Sequence, residues 1–481
     1  MKAGVKGVGL RDALTAFLTK IPMVERPRRH VPLKTKLAFT ISILILYFAL
    51  GNIPLFGLSP ESLYLFGRWR TIFAGDRFSL TALGIMPIVA ASLILQILAG
   101  PKIMKLDLTD PRDQAFYLNI QKLLVVVFAA FISLTYVVGF YKPDPGIASL
   151  LGVSLQVLSA MLFIQVFIGG MLIYFMEEVV SRWGIGSGVS LFILAGVSQQ
   201  VITGLISPIQ VGGWAVGVIP RWIQIAREVA PYEILLEGGI TFLFANHLIA
   251  LITTIAMFFL MIYLVSAHIE LKIPGLHSGR IRGRIIIPIK FVHFTYAIII
   301  PLMFASSILP TIQSFGRMFY SHGITIFGTY DDYGNAISGL VYYLDPIYSP
   351  WDWFPGLMTM PYTGWQVAIR ITATLSILVI GIMLFALLWI KLTPGLEAKD
   401  VRIMIRDSGL LIYGHRRSLK AIKRAVDRHT PKIAMMGGGI LGVLCVIANM
   451  FGMLGAVSVL YLFLSVIIIY GIYEEITSEW S

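Results

Sequence analysis

Side chains able to do chemistry are few in this chain, and those in its apolar stretches stand far apart. Glu177 and Glu178 are adjacent at the end of one apolar run, with Arg182 close behind. A carboxylate pair can act in general acid–base catalysis, but here a solvated pair beside Arg182 is the expectation. His247, His268 and His293 lie at or near the ends of apolar runs, and no His-Glu-x-x-His pattern occurs. Cys445 is the single cysteine. It has no partner for an intramolecular disulfide, supports no metal site, and reads as a small buried core residue. Gly184-Ile185-Gly186-Ser187-Gly188 is glycine-rich, but it follows an apolar helical run. A phosphate cradle follows a strand, so these glycines predict a tight turn and close helix packing instead. No nucleotide loop and no nucleophile constellation is present. The reading is a non-enzyme, with no cofactor and no metal.

The elements around these residues are membrane spans. Of 481 residues, 57% are hydrophobic and 13% charged, with a net charge of +13. Soluble domains carry about 25% charged residues, so lipid is the main solvent of this chain. Apolar runs of about 20 residues span a bilayer. Ten are placed at about 37–57, 79–99, 116–140, 149–177, 187–206, 244–267, 289–312, 365–391, 433–453 and 456–474. Gly452 and Gly455 are the punctuation between the last two. The first 36 residues are basic, are broken by Pro22, Pro27 and Pro32, and show no cleavable signal peptide.

Ten spans return both termini to one side. Of 38 Lys and Arg, 29 fall in the N-terminal segment and the loops at 100–115, 178–186, 268–290 and 391–432, against seven in the opposite loops. Positive charge marks the cytoplasmic side, so both termini are expected there. Five spans per half make a second half that enters the membrane in the opposite direction, the topology of an inverted repeat. Pro87 in span two and Pro301 in span seven would occupy equivalent helices. Proline breaks backbone closure in lipid, which points to a cavity or pore.

Four polar regions remain. The stretch 58–78 interleaves Leu63, Leu65, Phe66, Trp69, Ile72 and Phe73 with Arg68, Arg70 and Arg77. It is too short and too charged to span, and reads as an interfacial half-helix or a segment folded back into a cavity. The external stretch 313–364 is rich in Gly, Tyr, Asp and Trp and reads as a small cap. One cytoplasmic loop carries Lys272, Arg280, Arg282, Arg284 and Lys290. The longer one carries Arg402, Arg406, Arg416, Arg417, Lys420, Lys423, Arg424, Arg428 and Lys432. Positive-inside charge and anionic lipid account for part of this. The excess in the longer loop suits a phosphate-rich partner.

The middle of the spans is nearly free of charge. Lys122 lies about two turns into span three, and Arg370 lies near the external start of span eight. Ion-coupled transporters keep charge at mid-depth. An apolar constriction instead blocks ions by dewetting.

The segment Arg77-Phe78-Ser79-Leu80-Thr81-Ala82-Leu83-Gly84-Ile85-Met86-Pro87-Ile88-Val89-Ala90-Ala91-Ser92 resembles the second-helix signature of the SecY family, the central subunits of the protein-conducting channel. Gly184 to Ser190 resembles the start of that family's fifth helix, and Ile300-Pro301-Leu302-Met303-Phe304-Ala305-Ser306-Ser307 its seventh. Gln121-Lys122 and Gly414-His415-Arg416-Arg417-Ser418 also match, and the resemblance covers nearly the whole chain in order. It implies an all-α polytopic membrane protein of ten helices in two inverted five-helix halves, with a central pore and a lateral gate. It implies a waist ring of Ile85, Val89, Val189 and Ile193. The ring's span-seven member is Met303 when counted from Pro301, and Ile300 when counted from Pro288-Ile289-Lys290. Its span-ten member is Leu462, or Leu464 if a gap is allowed. It implies a plug carrying Leu63, Leu65, Phe66, Trp69 and Ile72, a gate between spans two and three and spans seven and eight that includes Gln121, Ser306 and Ser307, and partner docking by Arg280, Arg282, Arg284, Arg416 and Arg417.

The expected organisation is a basic segment 1–36, a first half 37–206, an external loop 207–243, a second half 244–474 and a cytoplasmic tail 475–481. The expected function is a passive channel in the cell membrane that moves secretory polypeptides across and releases membrane segments sideways into lipid. Expected partners are a SecE-like subunit, a second small subunit that is SecG-like or Sec-beta-like, signal peptides, nascent transmembrane segments and lipid. The docking loops would take the ribosome in an archaeal lineage, which the Pro288-Ile289-Lys290 text and the acidic C-terminus favour, or a motor ATPase in a bacterial one. The alternatives are a ten-helix inverted-repeat secondary transporter, and an insertase or scaffold without a through-pore.

Overall fold

The computed structural model describes residues 24–480 apart from 26, 60–77, 99–110, 140, 212, 229–238, 267, 274–284, 291–301, 303, 307, 314, 318, 321–322, 332–335, 359–361 and 393–415. The chain divides into two compact units, Met1–Ser198 with Ile468–Ser481, and Gln199–Ile467.

The first unit holds α1 (Leu33–Gly51), α2 (Met86–Leu98), α3 (Pro111–Gly139), the short α4 (Pro145–Leu151), α5 (Leu155–Trp183) and most of α6 (Gly188–Ile206). Local chemistry sets several of these boundaries. Pro32, extended, precedes α1, and proline holds its own φ near the value a helix entry needs. Asp144 accepts a hydrogen bond from the Gly146 amide, Pro145 opens α4, and Gly152 closes it at φ 64°. The Ser154 hydroxyl accepts from the Val157 amide to open α5.

The second unit follows α6 with the hairpin β1 (Gln210–Val211) and β2 (Trp214–Ala215), then α7 (Val218–Glu228), α8 (Ile240–Ala245) and α9 (Leu248–Ser266). Strands β3 (His268–Ile273) and β4 (Ile285–Lys290) pair antiparallel, His268 opposite Lys290 through Ile273 opposite Ile285. The apolar text Ile285–Lys290 is therefore strand, and the described helical residues of the seventh run lie within 302–320. Ile289 and Lys290, expected to open the seventh span, are thus paired with β3. The stretch read as a cap holds β5 (Thr329–Tyr330), β6 (Ala336–Ser338) and α10 (Leu340–Tyr343). Three long helices follow: α11 (Gly364–Leu392), α12 (Arg416–Phe451) and α13 (Val459–Trp480), whose last part belongs to the first unit.

Among the described residues, seven helices are long and apolar enough to cross a membrane, with two shorter apolar stretches at Met86–Leu95 and Met435–Phe451. Together with the helical part of 302–320 they account for all ten apolar runs. Close packing rests on small residues, as expected in lipid. Gly438 and Gly442 of α12 face Ile382 and Val379 of α11. The break between α12 and α13 falls at Gly452 (φ 79°) and Gly455 (φ 64°). A Cβ on Gly455 would lie 2.1 Å from the Gln200 carbonyl oxygen, and the buried Thr254 hydroxyl accepts from the Leu454 amide at 2.9 Å.

Candidate functional site

The segment 78–85 shows why Gly84 and Pro87 matter. Span two does not run as helix from residue 79. Phe78 (φ 57°) and Gly84 (φ 54°) are left-handed, and the stretch closes as successive tight turns, with Ala82 N–H donating to Ser79 O and Gly84 N–H to Thr81 O. Pro87 has no amide to offer the Leu83 carbonyl, which accepts from Met86 N–H instead at 3.3 Å. Helix α2 thus starts at Met86 with proline in its first turn, where the missing donor costs least. The turns lie against α5. A Cβ on Gly170 would meet Leu83 Cδ2 at 2.9 Å.

This arrangement delivers Ile85 and Ile88 into an apolar cluster with Tyr47, Ala91, Val125, Ile173, Tyr174, Met176, Phe192 and Ala195. Val89, Val189 and Ile193 are half-buried against it. Ile85 is 2% exposed, and Tyr47 stacks on Phe192 at 4.9 Å. The first unit therefore brings together Ile85, in the last turn before α2, Val89 on α2, and Val189 and Ile193 on α6. In the second unit Leu462 and Leu464 are both buried, while Ile300 and Met303 lie outside the described residues.

Of the expected gate residues, Gln121 on α3 donates from Nε2 to the Ser92 hydroxyl on α2 at 3.0 Å. Ser306 is helical and half-buried, and Ser307 lies outside the described residues. The plug residues Leu63, Leu65, Phe66, Trp69 and Ile72 also lie outside them, but both roots of that stretch are described. Leu55 N–H donates to Phe78 O, and Leu80 N–H to Ile53 O. On the other side, Ser59 N–H donates to Lys142 O and Asp144 N–H to Gly57 O. Gln165, within α5, grips Phe56 from both sides, accepting its N–H at 2.9 Å and donating to its carbonyl at 3.1 Å. Sequence reasoning missed Gln165. Its only signal was a carboxamide near the middle of a largely apolar span.

Among the described residues, charge in the apolar spans sits near their ends, except for Lys122, which is buried within α3. Glu178 is not solvated, as the sequence suggested. It is buried, pairs with Arg182 at 2.5 Å, and accepts from the Val24 amide at 3.1 Å. The partner from the N-terminal segment, 154 residues away, supplies the second bond that makes burial tolerable. Beside it, Ile185 N–H donates to the Thr40 hydroxyl, Gly186 N–H donates to Glu475, and Lys36 pairs with Glu479. A Cβ on Gly188 would lie 2.6 Å from Glu177 Cα, the close approach expected of that glycine run.

In the second unit Arg370 ties α11 to the segment after α10. Its Nη2 meets Asp345 Oδ2 at 2.7 Å and its Nε donates to Asp345 O at 2.8 Å. The guanidinium also lies 5.3 Å from the Tyr342 ring centroid. Tyr342 packs on Tyr362 at 4.2 Å, and burial raises both phenols above their usual range, so they stay neutral. Of the docking candidates, Arg280, Arg282 and Arg284 lie outside the described residues, carried between β3 and β4. Arg416 and Arg417 open α12.

Two family profiles match this chain. The one described as SecY covers residues 79–473, and the one described as the plug domain of Sec61p covers residues 45–77. A protein translocase subunit SecY of Archaeoglobus fulgidus is 41% identical over 477 residues, covering 97% of this chain and 95% of that protein. Its counterpart in Haloferax volcanii is 39% identical, covering 98% and 97%. Among solved structures, one titled "The structure of a protein conducting channel" superimposes with a TM-score of 0.68 at 30% identity, covering 96% of each chain. Another, "Sec61 in the Canine ribosome-channel complex from the endoplasmic reticulum", has a TM-score of 0.65 at 29% identity, covering 96% of each chain. The glycine–proline break, the apolar cluster around Ile85 and these full-length matches lead to one conclusion: the chain belongs to the SecY family.

Proposed function

We propose that this chain is the pore-forming subunit of a protein-conducting channel in the cell membrane, with both termini cytoplasmic, and that it opens passively while a partner supplies the energy. The observation that carries this is the uncharged cluster at the glycine–proline break, where Ile85, Val89, Val189 and Ile193 gather on two span elements, in a chain matching SecY from residue 79 to 473. These residues, with Leu462 and with Met303 or Ile300, form the seal in this reading. Aliphatic side chains suit it, because they hold back ions by dewetting and yield to a polypeptide of variable shape.

The stretch 58–78 serves as the plug. Spans two and three with seven and eight serve as the gate, and a signal sequence opens the channel by binding the open state more tightly. A SecE-like subunit and a second small subunit complete the complex. The basic loops receive the ribosome, the partner present with a relative of similar fold.

The test is conductance. Replacing the half-buried Val89 and Ile193 by Gly in the reconstituted complex should raise ion leak several-fold, while the equally apolar exchange Ile85→Val should not. An unchanged leak in a folded Val89→Gly/Ile193→Gly complex would place the seal elsewhere.

A further inference from the structure

Helix α7 buries one face and leaves a second apolar face uncovered. Val218 and Ile225 are each 2% exposed. Trp222, on the same side, donates from Nε1 to Asn246 O at 3.1 Å and meets Phe242 edge-on at 6.0 Å. Gln224 accepts from the Ala215 amide at 2.9 Å. An isolated helix of 11 residues is marginal in water, so these contacts hold α7 in place. Ile219, Ile223 and Ala226 lie outside that set of contacts and are exposed. They recur at i, i+4 and i+7, which puts them on one face. Ile219 is 43% and Ile223 48% exposed, and Arg227 is exposed beside them.

The strip continues an exposed apolar surface. Ile202 and Ile206 are exposed on the last turns of α6, which is long and apolar enough to span a membrane. Ile209 follows, 66% exposed. The Val216 amide donates to the Ile209 carbonyl at 2.8 Å, which sets the exposed Val216 beside it, and α7 begins two residues later. The Gly217 amide bonds to Ser207 O at 3.0 Å, so the start of α7 is fastened to the end of the span.

We propose that α7 is an interfacial helix whose Ile219–Ile223–Ala226 face lies in the phospholipid surface of the external leaflet, with Arg227 reaching the headgroup phosphates. Aliphatic residues on one face and a basic residue at its border are what such a surface recognises. The helix would fix the depth at which the connection between the two five-span halves sits. The proposal rests on the span reading of α6 and not on the seal residues.

The test uses the full chain in vesicles of phosphatidylcholine and phosphatidylglycerol, with Cys445→Ala as background. A nitrobenzoxadiazole label is placed at Ile223→Cys or, as the reference, at the exposed Glu228→Cys. The label at 223 should be quenched by lipid spin-labelled near the headgroup, and several-fold less than the label at 228 by aqueous iodide. Ile219→Glu should shift an Ala226→Cys label toward iodide quenching while leaving thermal unfolding unchanged. Equal iodide quenching at 223 and 228 would overturn the proposal by showing a water-exposed face. Quenching of 223 by neither reagent would overturn it by showing a protein-covered one.

Discussion

The Leu80 carbonyl oxygen occupies the place where Gly169 would carry a side chain: a Cβ there would lie only 1.7 Å from it. A backbone carbonyl cannot rotate away as a side chain can. Gly169→Ala must therefore displace the turns at 78–85, which set the position of Ile85. Overpacking of this kind costs about 1–3 kcal/mol. Thermal unfolding of the purified complex should fall for Gly169→Ala. It should hold or rise for Gly439→Ala, where the nearest atom is Met383 Sδ at 3.8 Å and alanine favours helix over glycine by about 1 kcal/mol.

How far the sequence foretold this arrangement depends on the range of the interaction. Pro87 and the Gly452–Gly455 pair act on their own backbone, so both breaks were legible. Pro87 reads as interrupting a helix, yet it sits in the first turn of one, because the turns before it bond to Ile53 and pack closely on Gly169 of α5. The Glu178–Val24 and Gln165–Phe56 bonds join positions 154 and 109 residues apart. No local pattern announces them. The β3–β4 pairing was hidden for a different reason: Ile285–Lys290 falls where the basic loop 268–290 meets the apolar run 289–312, and hydropathy does not tell strand from helix over so short a run.

The Arg370–Asp345 pair makes a separate demand on stability. Their side chains are 6% and 10% exposed, so neither charge can fall back on water. Removing one partner from a buried pair leaves an uncompensated charge, which costs about 3–5 kcal/mol. Asp345→Asn keeps the backbone carbonyl that Nε uses, and Asp352 Oδ1 stands 3.7 Å away, so a loss near the lower end, about 3 kcal/mol, is expected. Thermal unfolding should report it, together with faster protease cleavage within 313–364. The double variant Asp345→Leu/Arg370→Met should recover part of the loss, because neither charge of the close pair is then stranded and Asp352, which loses its more distant cation, keeps some contact with water at 20% exposure.

Arg416 and Arg417 open α12, and Lys420, Arg424 and Arg428 follow at intervals of four from Arg416. The basic text that reads as a loop is therefore, from residue 416 onward, the start of a helix that continues to Phe451. Positions four apart recur about once per helical turn, a register that suits a partner with regularly spaced phosphates. If that partner is ribosomal RNA, each lost contact should reduce the salt dependence of binding, with the slope of log affinity against log salt changing by about 0.7–0.9 per phosphate. Arg416→Glu/Arg417→Glu should weaken ribosome binding about ten-fold or more at low salt and flatten that slope by about 1–2. Arg317→Glu, on the opposite side of the predicted topology, should leave both unchanged. Co-sedimentation of ribosomes with the reconstituted complex across a salt series measures the affinity and the slope together. An affinity and slope equal to those of the unaltered chain would remove α12 from the docking surface.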